Sequence, residues 1–140
     1  MFFIRNTLFL TVGAMLTLMA MTAMAQSKTP LAQEYHINYS LMSAKAADLI
    51  RKTCPSISAR MFVALGKARA LKSYALNKGY SEPEVRVFLK NPKEKARVKA
   101  MAANYLKQQG AVTGDVQSYC RVGRAEISKK TLVGQMLRAH

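Results

Sequence analysis

Cys54 and Cys120 are the only cysteines of this 140-residue chain, and whether they bridge decides how compact and how stable its fold can be. The opening residues bear on that. Arg5 and the amino terminus form a short positive region, and an apolar run follows from Leu8 to about Met21. Ala23-Met24-Ala25 then supplies the small-x-small pattern that a signal peptidase cuts, leaving Gln26 as the new N-terminus. An uncleaved anchor is the competing reading, but the run is shorter than the roughly 20 residues that cross a bilayer. Residues 1–25 therefore read as a cleaved signal peptide, and the protein as periplasmic. In that oxidising compartment an even pair of cysteines reads as a disulfide. Its loop of 66 residues is worth about 4 kcal/mol in the chain-entropy account. A redox-active pair would more naturally be spaced C-x-x-C, and the sequence has none.

The remaining 115 residues suit one domain. They carry 21 Lys and Arg against 7 acids, a formal charge of +14. Such a surface attracts anions: lipid headgroups, acidic glycan or an acidic protein. Export argues against nucleic acid. After cleavage no stretch is long and apolar enough to span a membrane.

Residues 26–36 are polar, contain Pro30 and lack a period, so they read as a flexible or loosely docked arm before a single domain over residues 37–140. A first helix starts near Asn38 or Ser40 and runs to Thr53, with Met42, Ala46, Leu49, Ile50 and Thr53 inward and Lys45, Asp48 and Lys52 outward. Pro55 stops it. Ser58 is a candidate cap for a second helix reaching about Lys78, with Met61, Leu65, Ala68, Ala75 and Leu76 on its inner side. Lys72 falls in that stripe, either snorkelling to water or pairing with an acid of a neighbouring helix. Gly79 ends the helix. Ser81-Glu82-Pro83-Glu84 is a capping box, and Asn91-Pro92-Lys93-Glu94 repeats its logic for a helix ending before Gly110. Asp115 caps the next helix, whose inward stripe is Val116, Cys120, Gly123 and Ile127. Gly123 there predicts close packing. A short terminal helix carries Leu132, Val133, Met136 and Leu137. No alternating run bounded by hairpin turns occurs, so the predicted fold class is all-α, a bundle of five to six short helices stapled by one disulfide.

The search for chemistry returns little. His36 and His140 are isolated, and no ligand spacing for a metal, phosphate loop or nucleophile motif occurs. The reading assigns no catalytic residue, metal or cofactor. What remains is basic. Arg86, Lys90, Lys93, Arg97, Lys107, Arg121 and Arg124 form a possible anion-facing surface; each alone is compatible with an ordinary solvated helix face, but together they hardly mix signs. The function expected is non-catalytic: an accessory protein docking on an envelope complex or anionic surface. A small-anion carrier or sensor is the alternative, and an enzyme comes third.

Three stretches carry a resemblance: Cys54-Pro-Ser-Ile-Ser-Ala-Arg60, Gly79-Tyr-Ser-Glu-Pro-Glu-Val85 and Ser118-Tyr-Cys-Arg-Val-Gly-Arg124. Together, over about Ile37 to Leu137, the chain resembles a family of small exported alphaproteobacterial proteins of unknown function that have a signal peptide and two cysteines. The resemblance implies the same fold and bridge and transfers no catalytic residue. It also implies a respiratory membrane complex as a partner, since such genes can lie among those of respiratory complex I.

Overall fold

The computed structural model describes residues 28–140; the predicted signal peptide, residues 1–25, lies outside them. Six α-helices follow one another: α1 (Tyr35–Thr53), α2 (Met61–Asn77), α3 (Glu82–Lys90), α4 (Pro92–Gln108), α5 (Val116–Lys129) and α6 (Leu132–Gln135). The expected bundle is present. To it is added one miniature ribbon, β1 (Ile57–Ala59) antiparallel to β2 (Leu137–Ala139), in register Ile57↔Ala139 and Ala59↔Leu137.

The helix starts follow from local chemistry. Ser81 Oγ accepts the Glu84 N–H at 3.3 Å while Glu84 returns a carboxylate to the Ser81 N–H at 3.2 Å, the reciprocal capping box that opens α3. Asn91 Oδ1 accepts the Lys93 N–H at 2.9 Å to open α4, and Asp115 Oδ1 accepts the Ser118 N–H at 3.2 Å to open α5. Gly79, at φ 88°, turns the chain out of α2. Ser81→Ala is expected to cost about 1 kcal/mol, read as a lower urea midpoint with an unchanged m-value.

Helix α1 is central. Its stripe of Met42, Ala46 and Ile50 is buried against α4, α5 and α6. Cys54 at its C-terminal end is bonded to Cys120 of α5, with Cα atoms 5.1 Å apart and both residues buried. Gly123 lies one turn beyond Cys120, and a methyl there would come within 2.7 Å of Ile50 Cγ2 and would overlap Ile57 Cδ1. The close approach expected at Gly123 is thus to the end of α1 and to β1.

Several local expectations change. The chain from Lys28 is docked: Lys28 Nζ meets Glu84 Oε2 at 2.8 Å, the Tyr80 hydroxyl donates to Thr29 O at 2.5 Å, and Leu31 is buried. Glu34 caps α1, so this helix begins a turn earlier than predicted. Ser58 lies in β1 rather than capping α2, because Pro55 ends α1 and the tethered chain must run extended to reach Met61. The terminal helix stops at Gln135, where the last residues pair with β1; the Arg60 N–H donates to Met136 O, and the His140 N–H to Ser56 O. On α5, Val116 is exposed, and Ser118 and Glu126 are the buried partners of Cys120. Glu126 is 2% exposed. Its carboxylate accepts the Tyr105 hydroxyl at 2.8 Å and the Thr131 hydroxyl, which ties α4, α5 and α6 together and compensates a buried charge. Burial, reinforced by this carboxylate, pushes the Tyr105 phenol well above its ordinary pKa.

The largest departure is α2. Only Ala75 of it is buried, and Met61, Leu65 and Leu76 of its expected inner stripe are exposed, as is Phe62. Helix α2 leans on the others through Leu71, Tyr74 and Ala75, which join a second cluster with Leu31, Ile37, Tyr80 and Val85. The reason is that α4, α5 and α6 already cover the inner face of α1, so α2 meets α1 only along its flank. Lys72 does pair with an acid of a neighbouring helix, Glu82 of α3, at 2.6 Å.

Candidate functional site

Charge distribution is the first element of the site. Of the 21 Lys and Arg in residues 28–140, seven lie 2.6–3.7 Å from a carboxylate oxygen. Three of those seven, Lys45, Arg51 and Lys52, converge on Asp48. Burial works to raise the Asp48 pKa, but the Lys52 and Lys45 hydrogen bonds and the Arg51 charge outweigh it and hold the carboxyl below its ordinary range. Every one of the seven acids is engaged: Glu34 by the Ile37 N–H and the Tyr74 hydroxyl, Glu126 as above, the rest by cations. Among the described residues the other 14 cations pair with no acid, so the positive field of the surface is left uncompensated.

The predicted basic residues do not form one patch. Arg97 turns inward, where it donates to Glu94 Oε2 at 2.8 Å and to Asn38 Oδ1 at 2.5 Å, joining α4 to α1. Arg121 lies 3.7 Å from Asp115 Oδ2, and Arg124 donates to Ser56 Oγ at 2.9 Å. Lys93 and Lys107 are exposed, but they stand near opposite ends of α4, about 21 Å apart along its axis. Arg86 and Lys90 remain together on α3, exposed and without an acid partner.

The second element is a groove. Three open hollows of about 430, 510 and 440 Å³ meet at Leu41 on the outward flank of α1. Leu41, Ala44 and Asp48, at i, i+3 and i+7, form the floor. Ala64, Ala68 and Leu71 of α2 make one wall. Phe88 and Leu89 of α3 with Val98 of α4 make the other. Arg86 and Lys90 stand along the α3 edge, and Lys95 and Lys99 along the α4 edge. The groove therefore has an apolar bed, small side chains where a ligand would come closest, and unpaired cations at its margin. The acid on its floor, Asp48, is already neutralised by its three cations.

Sequence reasoning missed the groove because it treated the outward flank of α1 as an ordinary polar face and the stripe of α2 as core. The signal was present in Ala64 and Leu71 of α2, apolar positions outside the stripe assigned to the core, which with Ala68 make the wall of the groove.

Among the described residues no three His, Cys, Asp or Glu side chains gather as a metal site, and no helix is long and apolar enough to cross a membrane. The chain matches the family of unknown function DUF5333 over residues 29–138, which takes in all six helices and the disulfide. It belongs to that family. The DUF5333 match begins at Thr29, where the chain docks onto Tyr80, so the packed N-terminal segment is part of the family's domain. No curated protein and no solved structure matches the chain.

Proposed function

We propose that this DUF5333 protein is a non-catalytic binding protein of the bacterial periplasm, an accessory subunit that docks through its basic surface on an acidic face of an envelope complex. A respiratory membrane complex is the partner class that the family resemblance favours. Export rests on the leader pattern of residues 1–25, and the intact bridge accords with an oxidising compartment. The observation that carries the reading is the set of 14 cations without an acid partner among the described residues. A surface that only needed solubility would mix signs, and one that repels itself this strongly gains free energy when an acidic surface covers it.

The test is recovery of a C-terminally tagged copy from lightly crosslinked cells, followed by stepwise elution in salt. Exposed charge pairs are screened within roughly 8 Å at physiological ionic strength. A stoichiometric complex subunit is therefore expected to elute as NaCl rises from about 100 to about 500 mM. Recovery of the protein alone, or with bulk lipid only, would overturn the accessory-protein reading and direct attention to small anions.

A further inference from the structure

We infer that the groove over α1, between α2 and the α3–α4 pair, is the docking site for an amphipathic helix of a partner protein that carries an acidic flank toward α3 and α4. The inference rests on the binding reading above and names the site and the chemistry of its partner. Two observations carry it.

The first is the unpartnered apolar bed. Helix α2 buries one residue, Ala75, and turns Met61, Ala64, Ala68 and Leu71 to the hollow, an apolar face that no other element covers. The hollow beside it is open along its length and floored by Ala44 and Ala68, which are small and themselves exposed. Small residues let a second helix axis approach to the 8–10 Å of ordinary helix packing. This is helix-in-groove recognition, in which apolar anchors at i, i+3, i+4 and i+7 enter the bed.

The second is charge complementarity. Arg86 and Lys90 of α3 and Lys95 and Lys99 of α4 all stand along the α3–α4 wall, and none has an acid partner of its own. Carboxylates along the flank of an incoming helix that faces α3 and α4 would meet them. The acids that line the groove do not oppose this: Lys45, Arg51 and Lys52 neutralise Asp48, Lys72 pairs with Glu82 and Arg97 with Glu94. A lipid acyl chain is the less suitable occupant: it has charge at one end only, whereas this groove has cations along the length of one wall, and it would stay wet in so open a trench.

The experiment places a photo-crosslinking benzoylphenylalanine at Ala68 or at Leu89 within the groove, and at exposed Ala125 on α5 as the outside control, in cells that make the native partner. Crosslinking from both groove positions is expected to exceed that from Ala125 by about tenfold or more, as for residues at the centre of an interface. The crosslinked peptide is expected to be net negative, with apolar residues at helical spacing. Crosslinks to phospholipid, to a second copy of this chain or to a segment without that pattern would overturn the inference, as would equal yield from Ala125. The variant A44R/A68R separates this outcome from the broader reading. It fills the groove while adding positive charge at two exposed positions, and its melting temperature and intact bridge report that it folds. Loss of the salt-eluted partner from A44R/A68R supports the groove. Retention of that partner overturns the groove and leaves the basic-surface reading standing, whereas absence of any partner from the native protein overturns both.

Discussion

Reduction of the Cys54–Cys120 bridge is expected to lower the melting temperature by roughly 15 °C, or to unfold the protein outright at growth temperature. The bridge closes 66 residues, and the loop-closure entropy it removes from the unfolded chain corresponds to about 4 kcal/mol. A domain of this size has only about 5–15 kcal/mol in hand. The position adds to the effect. Cys54 and Cys120 are buried at the junction of α1 and α5, and the chain leaving Cys54 immediately forms β1, which holds the C-terminal strand. Losing the staple therefore frees the end of α1, the ribbon and the C-terminus together. Differential scanning calorimetry with and without reductant checks this, and equal melting temperatures would refute it. A thiol titration of the unfolded, unreduced protein should return none; two free thiols would show that the bridge does not form.

Gly134→Ala is expected to be the most destabilising single-methyl addition, at about 3 kcal/mol or more. Gly134 sits in α6 where it crosses the end of α5. A Cβ there would overlap the carbonyl group of Glu126 and stand 2.6 Å from the Ile127 nitrogen. These are backbone atoms of a packed helix, which cannot rotate away as a side chain can. Displacing α6 would also strain the Thr131 hydroxyl, which accepts the Gly134 N–H at 3.0 Å and donates to the buried Glu126 carboxylate. Gly123→Ala should cost less, because the atoms it meets are the methyl ends of Ile50 and Ile57, which have some room to turn. Gly66→Ala supplies the internal control. It lies inside α2 with nothing within 4 Å of the added methyl, so helix propensity alone applies and the variant should gain about 0.5–1 kcal/mol. Urea denaturation of the three variants gives the order, and a Gly134→Ala midpoint at or above that of Gly123→Ala would contradict the account.

These two predictions differ in where they can be read. Both cysteines are visible in the order of residues. Gly134, by contrast, is one glycine among seven, and nothing in its neighbours says that another helix crosses it eight residues after Glu126.

The same division runs through the whole protein. Helix starts at Ser81, Asn91 and Asp115, the stop at Pro55 and the turn at Gly79 were determined by the sequence itself, because caps and breakers act within one turn of the chain. The all-α class and the disulfide followed from comparably local or covalent facts. The tertiary structure decided the rest. Whether an apolar stripe becomes core depends on what space the other helices leave, and α4, α5 and α6 occupy the inner face of α1, leaving α2 only its flank. So Met61 and Leu65 face outward although their spacing suits a core, Arg97 turns inward although its helix face is basic, and Glu126 is buried where the Tyr105 hydroxyl of α4 and the Thr131 hydroxyl five residues on hydrogen-bond it. The groove over Leu41 and Ala44 is a product of that competition between helices for one face of α1. Its surfaces come from four helices, and their meeting is a property of the packed chain, which no local pattern encodes.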